Sequence, residues 1–471
     1  MKIAFPFITE LPYFRDSAAL FMPWADRSWA VFIDSGYPYC NQGRYDILAA
    51  DPWCTLVTRG NLTEVRAHGE TTVLPDDPFH LVKSRLGDVV PAIHGLPFCG
   101  GAIGYFGYDL ARRLERLPST AGDREAVPEM VVGIYDWAVV VDHRERKSWL
   151  VGQGRDAATA KRWPHLVKSF SQIQTLAWKQ TAFHVTGEIV SNMTRGDYRE
   201  AFAKIQRYIH EGDCYQVNLA QHFAATCEGN AWSAYQVLRH INPAPFSAFL
   251  NYPQARVLSS SPERFIRVEN GQVETRPIKG TRPRSSQMAE DNQRRDALQK
   301  SAKDRAENLM IVDLLRNDIG KSCIPGSVHV PELFAIESYA TVHHLVSTIR
   351  GRLAPEQDAL SLLRGCFPGG SITGAPKIRA MEIIEELEPH RRGVYCGAIG
   401  YIGHDGNMDT NIAIRTLVHT RDQIRFWAGG GIVADSEAEQ EYQECYDKAA
   451  AMIEVLTKLQ AENTWADRVG Y

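Results

Sequence analysis

Alternating apolar and polar positions dominate the first part of the chain. The segments "WAVFIDSG" (29–36) and "TLVTRG" (55–60) have this pattern, which is typical of strands with one face against a core. In "YDWAVVVDHRERKSWLVG" (135–152), two apolar runs flank the polar "HRER". The sequence therefore predicts mostly β structure up to about residue 175, including a hairpin that turns at "HRER".

Helical spacing begins after the polar connection "HVTGEIVSNMTRGD" (184–197). Apolar residues recur every three or four positions from Tyr198 to Ile209. Thr194 with Asp197 favours a capped start for this helix, and Gly212 favours its end.

The later part of the chain mixes both patterns. Helical spacing predicts one long helix over 292–320, a helix over "KIRAMEIIEELE" (377–388), and a C-terminal helix. The last of these is expected to open at Ser436, which with Glu439 forms an S-x-x-E capping box. Extended patterns predict strands in "YQVNLAQHF" (215–223) and across 397–431.

One short sequence occurs twice, as "GAIGYFGYD" (101–109) and "GAIGYIGHD" (397–405). Its glycine and aromatic positions predict two similar buried strands, although so short a match can also arise by coincidence. The elements favour an α+β fold in which two related antiparallel sheet halves form a sandwich with helices packed outside. We divide the chain into a mostly β region, 1–185, and a second region, 186–465, intertwined into one globular unit.

Composition narrows the class of protein. Hydrophobic residues make up 44% of the chain, charged residues 23%, and the formal net charge is only -4, which does not favour nucleic-acid or membrane-surface binding. The nine cysteines include no C-x-x-C pair, so neither a disulfide framework nor a zinc site is indicated. Glu10 and Asp16 precede any long apolar run, which argues against a secretory leader. We expect a cytoplasmic protein.

Two predicted helices each carry a pair of acidic residues three positions apart. Asp304 and Glu307 form one pair, and Glu441 and Glu444 form the other. Each pair lies on one helical face, so the two can converge on a hard cation that prefers oxygen ligands, of which Mg²⁺ is the best match. Such pairs also occur on ordinary solvated helices, and spacing alone does not separate the two interpretations.

Glycine-rich segments and isolated polar residues suggest anion binding. "FPGGSITGAPKIRAMEII" (367–384) runs into a helix whose free N–H groups suit an anion, and "WAGGGIVADS" (427–436) is a second candidate; both can equally be plain turns. Arg415, within an apolar strand pattern, can grip a carboxylate, and His344 can donate to a ligand. Either can also be a satisfied residue at the edge of the core.

Lys279 stands in "ETRPIKGTRPR" (274–284) among three arginines. Clustered cations lower the pKa of a lysine and make its amine a better nucleophile, so Arg276, Arg282 and Arg284 give a physical reason for reactivity. The flanking "PI" and "GT" predict a stiff turn. If the arginines extend into solvent, however, Lys279 is an ordinary surface lysine.

Seven segments, taken in order, resemble the chorismate-utilising enzymes, the family that includes anthranilate synthase. They are "SPERF" (261–265), "RPIKGTRPR" (276–284), "AENLMIVDLLRNDIG" (306–320), "VHHLVS" (342–347), "PGGSITGAPK" (368–377), "GAIGYIGHDGNMDTNIAIRT" (397–416) and "AGGGIVADSEAEQEYQECYDKA" (428–449). The resemblance implies the fold of anthranilate synthase component I, with chorismate binding and catalysis in 186–465.

The resemblance also implies roles for individual residues. Glu307 and Glu444 are expected to be inner carboxylates for Mg²⁺, with Asp304, where relatives have glutamate, and Glu441 acting directly or through water. Lys279 is implied as the nucleophile and Glu263 as the general acid and base. The implied substrate-binding positions are Gly280, Thr281, His344, Thr373, Tyr401, Arg415, Gly429, Gly431 and Lys448.

Anthranilate synthase has alanine in the same "PI-x-GT" motif, so Lys279 implies a different reaction. In the implied reaction the amine attacks C2 of chorismate as the C4 hydroxyl leaves, and ammonia then attacks C4, giving 4-amino-4-deoxychorismate for 4-aminobenzoate and folate synthesis. No G-x-C-x-G elbow of a glutaminase is present, so we expect ammonia from a separate glutamine amidotransferase subunit.

Several alternatives stay open at this point. Anthranilate or isochorismate synthesis is possible within the family, and a non-catalytic amino-acid sensor is possible on the same fold. A pyridoxal-phosphate enzyme is an alternative outside the family. The resemblance further implies a tryptophan pocket formed by Ser35, Pro245 and Phe246.

Overall fold

A computed structural model describes residues 6–93, 95–172, 181–339 and 342–466. Two predictions concern residues outside the described ranges. The predicted absence of a secretory leader involves residues 1–5, and the predicted end of the mostly β part falls within 173–180.

In the described residues, runs of up to five successive strands are separated by helices. The strands are β1 (Phe7–Leu11), β2 (Ala30–Asp34), β3 (Tyr45–Ala49), β4 (Cys54–Arg59), β5 (Leu62–Ala67), β6 (Glu70–Leu74), β7 (Gly101–Phe106), β8 (Met130–Tyr135), β9 (Trp137–Asp142), β10 (Lys147–Gly152), β11 (Phe183–Val185), β12 (Val190–Ser191), β13 (Gln216–Gly229), β14 (Phe246–Asn251), β15 (Arg256–Ser261), β16 (Arg264–Glu269), β17 (Gln272–Thr275), β18 (Ile278–Pro283), β19 (His329–Ser338), β20 (Val342–Arg352), β21 (Gly374–Ala375), β22 (Ala398–Gly403), β23 (Met408–Ile412), β24 (Thr416–Thr420) and β25 (Gln423–Ile432). The α-helices are α1 (Ala18–Phe21), α2 (Pro78–Leu86), α3 (Ala157–Ser171), α4 (Arg195–His210), α5 (Ala231–Ile241), α6 (Met288–Lys300), α7 (Ala302–Gly320), α8 (Ala359–Cys366), α9 (Lys377–Leu387) and α10 (Ala438–Ala466). Short 3₁₀ helices occupy Met22–Trp24, Tyr108–Arg113 and Gly370–Ile372.

The strands form two large antiparallel sheets. The first has the order β1-β10-β9-β3-β2-β14-β15-β24-β25-β13-β11, with β12 and β21 also paired to β13. The second has the order β18-β20-β17-β16-β23-β22-β7-β8-β4-β5-β6, with β19 also paired to β20. Apart from β11, which pairs with β13, each sheet therefore takes one block of strands from 1–185 and another from 186–465. The blocks are joined at β2–β14 in the first sheet and at β22–β7 in the second. The predicted α+β fold with two antiparallel sheets is confirmed.

Apolar residues on both faces of the strands explain the layered arrangement. In β9, Ala138 and Val140 belong to a core shared by the two sheets, while Val139 and Val141 belong to a core with α3, α5 and α10. Because successive side chains in a strand point to opposite faces, a strand covered on both sides is apolar throughout. The sandwich therefore has one core between the sheets and further cores under the outer helices.

The two copies of the repeated sequence lie side by side. β7 and β22 pair antiparallel, and Gly104 faces Gly400, the equivalent position of the other copy. A Cβ atom on Gly104 would come within 2.1 Å of the Val131 carbonyl oxygen, and one on Gly400 within 2.1 Å of the Asp409 carbonyl oxygen. Both glycines are therefore required by close approach of the next strand outward.

Local predictions were confirmed where the signal lay within one element. β9 and β10 form the predicted hairpin around "HRER". Thr194 and Asp197 cap α4 reciprocally, as a capping box does.

Two helix predictions were wrong. The expected helix over 292–320 breaks at Ser301, which has an extended backbone and accepts a hydrogen bond from the Asp304 amide as the N-cap of α7. Ser436 does not cap α10 with Glu439, because its hydroxyl donates to Glu441 Oε1 at 2.7 Å and Glu439 pairs with arginines of α4. Within the described residues, no helix is long and apolar enough to cross a membrane.

Candidate active site

A cavity of about 720 Å³ opens between β13, β18 and β25 and the helices α7 and α10. We call it the main cavity. Its volume is within the range that holds small organic ligands. The segments that form its wall come from distant parts of the sequence, and they include all four acidic residues predicted to bind metal.

Lys279 and Glu263 lie in the main cavity and contact the same residue, Ser371. Lys279 Nζ donates to the Ser371 carbonyl oxygen at 3.2 Å. The Ser371 hydroxyl donates to Glu263 Oε1 at 2.9 Å. The structure thus places a primary amine and a carboxyl group on either side of one serine, which is an arrangement suited to a nucleophile and a general acid.

The pKa of Lys279 is lowered, but for a different reason from the one predicted. Burial of the amino group is the main cause, and the Lys448 ammonium adds to it. The three neighbouring arginines are neutralised by acidic residues: Arg276 by Glu337, Arg282 by Asp304 and Arg284 by Asp291. The predicted arginine effect is therefore wrong. Lys279 also lies in strand β18 rather than on a turn.

The pKa of Glu263 moves in the opposite direction. Burial raises it, and the charge of Lys279 and the Ser371 hydrogen bond oppose this only in part. Burial thus favours the neutral forms of both groups, the amine and the carboxylic acid.

The four acidic residues surround one side of the main cavity, but their surroundings differ. Burial raises the pKa of Glu307 and of Glu441. Burial would also raise the pKa of Glu444, but the Lys448 ammonium at 2.6 Å outweighs it and lowers that pKa. Asp304 pairs with Arg282 at 2.8 Å. Across the described residues, no three acidic, histidine or cysteine side chains are close enough together to hold a metal ion by themselves.

Glu441 has an unusual feature. It is 3% exposed, and its Oε2 atom is buried without a hydrogen-bond partner. Buried carboxylate oxygens are normally paired, so this atom can accept a cation. Because Mg²⁺ keeps several water ligands and uses only one or two carboxylates, the residues fit this ion even without a cluster of three.

Three more predicted residues, Thr281, His344 and Arg415, line the main cavity. Thr281 Oγ1 and His344 Nδ1 are 2.8 Å apart, and burial with the nearby Arg415 lowers the pKa of His344 to about 4, so the ring is neutral at pH 7. Arg415 Nη1 donates to Asn242 Oδ1 at 3.2 Å, and within the described residues it forms no ion pair. Its guanidinium is therefore available to a carboxylate ligand.

The glycines predicted to form an anion loop instead lie in a strand. Gly429 and Gly431 belong to β25 and pair with Ala220 and Asn218 of β13. A Cβ atom on Gly430, between them, would lie 3.1 Å from Glu441 Oε2. The run of glycines lets α10 bring its acidic residues and Lys448, which donates to the Gly429 carbonyl oxygen at 3.0 Å, against the strand.

The sequence model of the chorismate binding enzymes matches residues 44–454. The chain belongs to this family. It is 50% identical to aminodeoxychorismate synthase component 1 of Salmonella typhimurium over 97% of this chain and 99% of that protein. It is 49% identical to aminodeoxychorismate synthase component 1 of Escherichia coli over 97% of this chain and 100% of that protein. The crystal structure of anthranilate synthase component I from Streptococcus pneumoniae superposes with a TM-score of 0.75 at 32% identity, covering 87% of this chain and 92% of that one.

This chorismate-binding chain has a second cavity, of about 310 Å³, which contains the predicted tryptophan-pocket residues Ser35, Pro245 and Phe246. Tyr401 was predicted to contact substrate, but it lines this second cavity and not the main one. Its ring packs against Phe98 in the core between the sheets, which is the other face of β22.

Thr373 was also predicted to contact substrate, yet it does not line the main cavity. The residue is fully buried, and its hydroxyl donates to the Gly369 carbonyl oxygen at 3.1 Å. Gly280 does line the cavity, as predicted, with a φ of 78° that favours glycine.

Sequence reasoning missed several residues of the main cavity, among them Ser371, Tyr395, Asn218 and Lys303. Tyr395 stacks on Trp427 with the ring planes 11° apart. Ser371 and Asn218 were within quoted segments, and a polar residue in an otherwise apolar or glycine-rich run was the available signal. Lys303 adjoins Asp304 in the sequence, so the acidic pair could have drawn attention to it.

Proposed function

We propose that this chain converts chorismate and ammonia into 4-amino-4-deoxychorismate and retains the enolpyruvyl group. The observation that carries the proposal is the position of Lys279, whose amine lies in the main cavity with Glu263 on the other side of Ser371. The names of the Salmonella and Escherichia relatives support it. Magnesium, the partner subunit and tryptophan binding are parts of the same proposal.

In the first step, the neutral amine of Lys279 attacks C2 of chorismate. The Nζ–C2 bond forms, the two ring double bonds shift, and the C4–O bond breaks. Glu263 gives its proton to the departing hydroxyl, which leaves as water. The structure favours the starting state of this step, since burial lowers the pKa of the amine and raises that of the acid.

In the second step, ammonia attacks C4 of the covalent adduct. The new C4–N bond forms, the double bonds shift back, and the Nζ–C2 bond breaks, so that Lys279 recovers its electron pair. The Glu263 carboxylate takes one proton from the new ammonium group. The sum of both steps is chorismate plus ammonia giving 4-amino-4-deoxychorismate plus water, and both residues return to their initial forms.

Substrate orientation is assigned to the two walls of the main cavity. Arg415, which is free of ion pairs in the described residues, receives the carboxylate of the enolpyruvyl group together with β25 amides at Gly429 and Gly431. Mg²⁺ is assigned to Glu307 and Glu444 as the two inner carboxylates. Glu441 and Asp304 would act through water, Asp304 because Arg282 already holds its carboxylate. When bound, the ion supplies positive charge for the ring carboxylate of chorismate.

The test of this proposal is Lys279→Ala, assayed with chorismate, MgCl₂ and ammonium chloride. We expect loss of at least about a hundredfold in rate, the scale of a lost positioned nucleophile. Intact-mass analysis of the unaltered protein with chorismate and no ammonia should detect an adduct that the variant lacks. Lys147→Ala, which removes an exposed lysine on β10, is the matched control.

Product mass separates this reaction from its relatives' chemistry. The chain is also 35% identical to anthranilate synthase component 1 of Acetivibrio thermocellus over 93% of its length. Anthranilate would have lost the enolpyruvyl group, and isochorismate would lack nitrogen. Either product from the unaltered protein, or full activity of Lys279→Ala, would overturn the proposal.

Ammonia is assigned to a separate glutamine amidotransferase, and the designation "component 1" of the relatives supports a second subunit. The purified chain should use ammonium salts but not glutamine. Turnover of glutamine by the chain alone would contradict this assignment.

The second cavity is assigned to tryptophan because Ser35, Pro245 and Phe246 combine a hydroxyl with apolar walls. Titration calorimetry with tryptophan tests this assignment, and Ser35→Ala is the variant that should weaken binding.

A further inference from the structure

Ser371 contacts both reacting groups but has no role in the steps above. Its hydroxyl donates to Glu263 Oε1 at 2.9 Å, and its carbonyl oxygen accepts from Lys279 Nζ at 3.2 Å. The residue is 7% exposed and lies in the 3₁₀ helix Gly370–Ile372. Inside a protein such contacts are stronger than in water, so one residue fixes the relative position of the acid and the amine.

The segment that carries Ser371 is held at three successive carbonyl groups. Asn218 Nδ2 donates to the Ser371 oxygen at 3.2 Å, Arg392 Nη1 to the Ile372 oxygen at 3.0 Å, and the Asn218 amide to the Thr373 oxygen at 2.9 Å. The preceding glycine, Gly370, has no room for a side chain, since a Cβ atom there would lie 2.2 Å from Leu314 Cδ2. A segment fixed in this way cannot follow a side chain that moves.

The carbonyl oxygen of Ser371 has two lone pairs, and both have donors. Asn218 Nδ2 takes one, which leaves one for Lys279 Nζ. A neutral amine that gives one N–H to this oxygen has its remaining N–H and its lone pair directed elsewhere, and the cavity is the open side.

The hydroxyl places a similar restriction on Glu263. Oxygen Oε1 accepts the Ser371 proton, so a carboxylic acid at this position carries its own proton on Oε2. General acid catalysis requires the proton to be within reach of the leaving group. A carboxyl group free to rotate would present the protonated oxygen only part of the time.

We propose that Ser371 is a positioning residue that directs the Glu263 proton to Oε2 and the Lys279 lone pair to the substrate. This inference rests on the proposed function. It explains why the serine hydroxyl points at the carboxyl group while its peptide oxygen points at the amine. It also gives Asn218 and Arg392 a function, because they hold the segment that carries Ser371.

Ser371→Ala tests the hydroxyl, Ser371→Thr restores it, and Ser259→Ala is the matched control. Ser259 is fully buried and bonded to Thr416 Oγ1 at 2.9 Å, and it lines neither the main nor the second cavity. For Ser371→Ala we expect kcat to fall about 10- to 100-fold with KM for chorismate nearly unchanged, since misplacement of a reacting group costs that much. Adduct formation without ammonia should slow by the same factor.

The pH profile supplies a readout that a purely structural role would not move. The Ser371 hydrogen bond opposes the rise in the pKa of Glu263, so the alanine variant should shift the limb of kcat/KM that reports this acid to higher pH. Ser371→Thr should return both kcat and the profile toward those of the unaltered protein. Ser371→Cys, which keeps the volume with a weaker donor, carries the test if the alanine variant does not fold.

Two results would overturn the inference: an alanine variant with unchanged kcat and pH profile, or alanine and threonine variants that are equally impaired. Both presuppose that the unaltered protein makes 4-amino-4-deoxychorismate. If it makes none, the proposed function itself fails, and the two failures are thereby distinguishable.

Discussion

Arg392 and Glu388 form an ion pair behind the main cavity in which both side chains are 1% exposed. Arg392 Nε donates to Glu388 Oε2 at 2.8 Å, and Nη2 donates to Oε1 at 2.6 Å. The same guanidinium donates to the Ile372 and Asn218 carbonyl oxygens, which belong to two different segments that line the cavity. Arg392→Met keeps much of the side-chain volume and removes every one of these donors.

The expected loss in the free energy of unfolding comes from the unpaired Glu388 that Arg392→Met leaves in the core. Glu388 becomes a buried carboxylate without a counter-charge, and burial already raises its pKa. Removing one partner of a buried pair destabilises proteins by about 3 to 5 kcal/mol, so we expect about 4 kcal/mol here. This is a large part of a typical total stability of about 5 to 15 kcal/mol.

Urea unfolding followed by circular dichroism measures this loss. Glu388→Gln/Arg392→Met should be more stable than Arg392→Met alone, because no unpaired charge is left in the core. Arg316→Met, which breaks an exposed pair with Asp313, is the control and should cost less than about 1 kcal/mol. A loss below about 1 kcal/mol for Arg392→Met, or a double variant less stable than the single one, would refute the reasoning.

Three further predictions concern pH, packing and metal binding. Burial lowers the pKa of His404 to about 4, so the unfolded chain binds more protons than the folded one between pH 6.5 and 4. The free energy of unfolding should therefore fall by up to about 3 kcal/mol as the pH is lowered through that window. His404→Gln should reduce this pH dependence, measured by urea unfolding. Gly400→Ala should lower the melting temperature strongly, because its Cβ would meet the Asp409 carbonyl oxygen at 2.1 Å. Gly320→Ala should lower it much less, because no atom lies within 4 Å of the Cβ position at that residue. Glu441→Gln should weaken Mg²⁺ binding about 10- to 100-fold by calorimetry, and the same substitution at exposed Glu437 should not; equal affinities would contradict the metal assignment.

The sequence predicted features whose causes are local. The hairpin around "HRER" and the Thr194 cap depend on residues within one or two elements, and both were confirmed. The break at Ser301 was missed because a serine is tolerated inside a helix as well as favoured at its start. Helix propensity and hydrophobic periodicity do not show whether such a serine continues one helix or begins the next.

The reason for the low pKa of Lys279 could not be predicted either, because it depends on residues that are far away in the sequence. Arg276 and Arg284 look like a cationic cluster in sequence, but Glu337 neutralises the first across β20, and Asp291 neutralises the second from α6. The cation that does lower the pKa of the amine, after burial, is Lys448 on α10. Tyr401 was misplaced because a motif does not show which face of β22 a residue occupies.

The joining of the two sheets has a consequence for folding. Because β2 pairs with β14 and β7 with β22, neither region of the chain can complete a sheet without the other. A fragment that ends near residue 185 would expose the edges of two apolar strands, β2 and β7, and such edges are sites of aggregation. Expression of either region by itself should therefore give insoluble protein, and co-expression of both fragments should be needed to recover a soluble one.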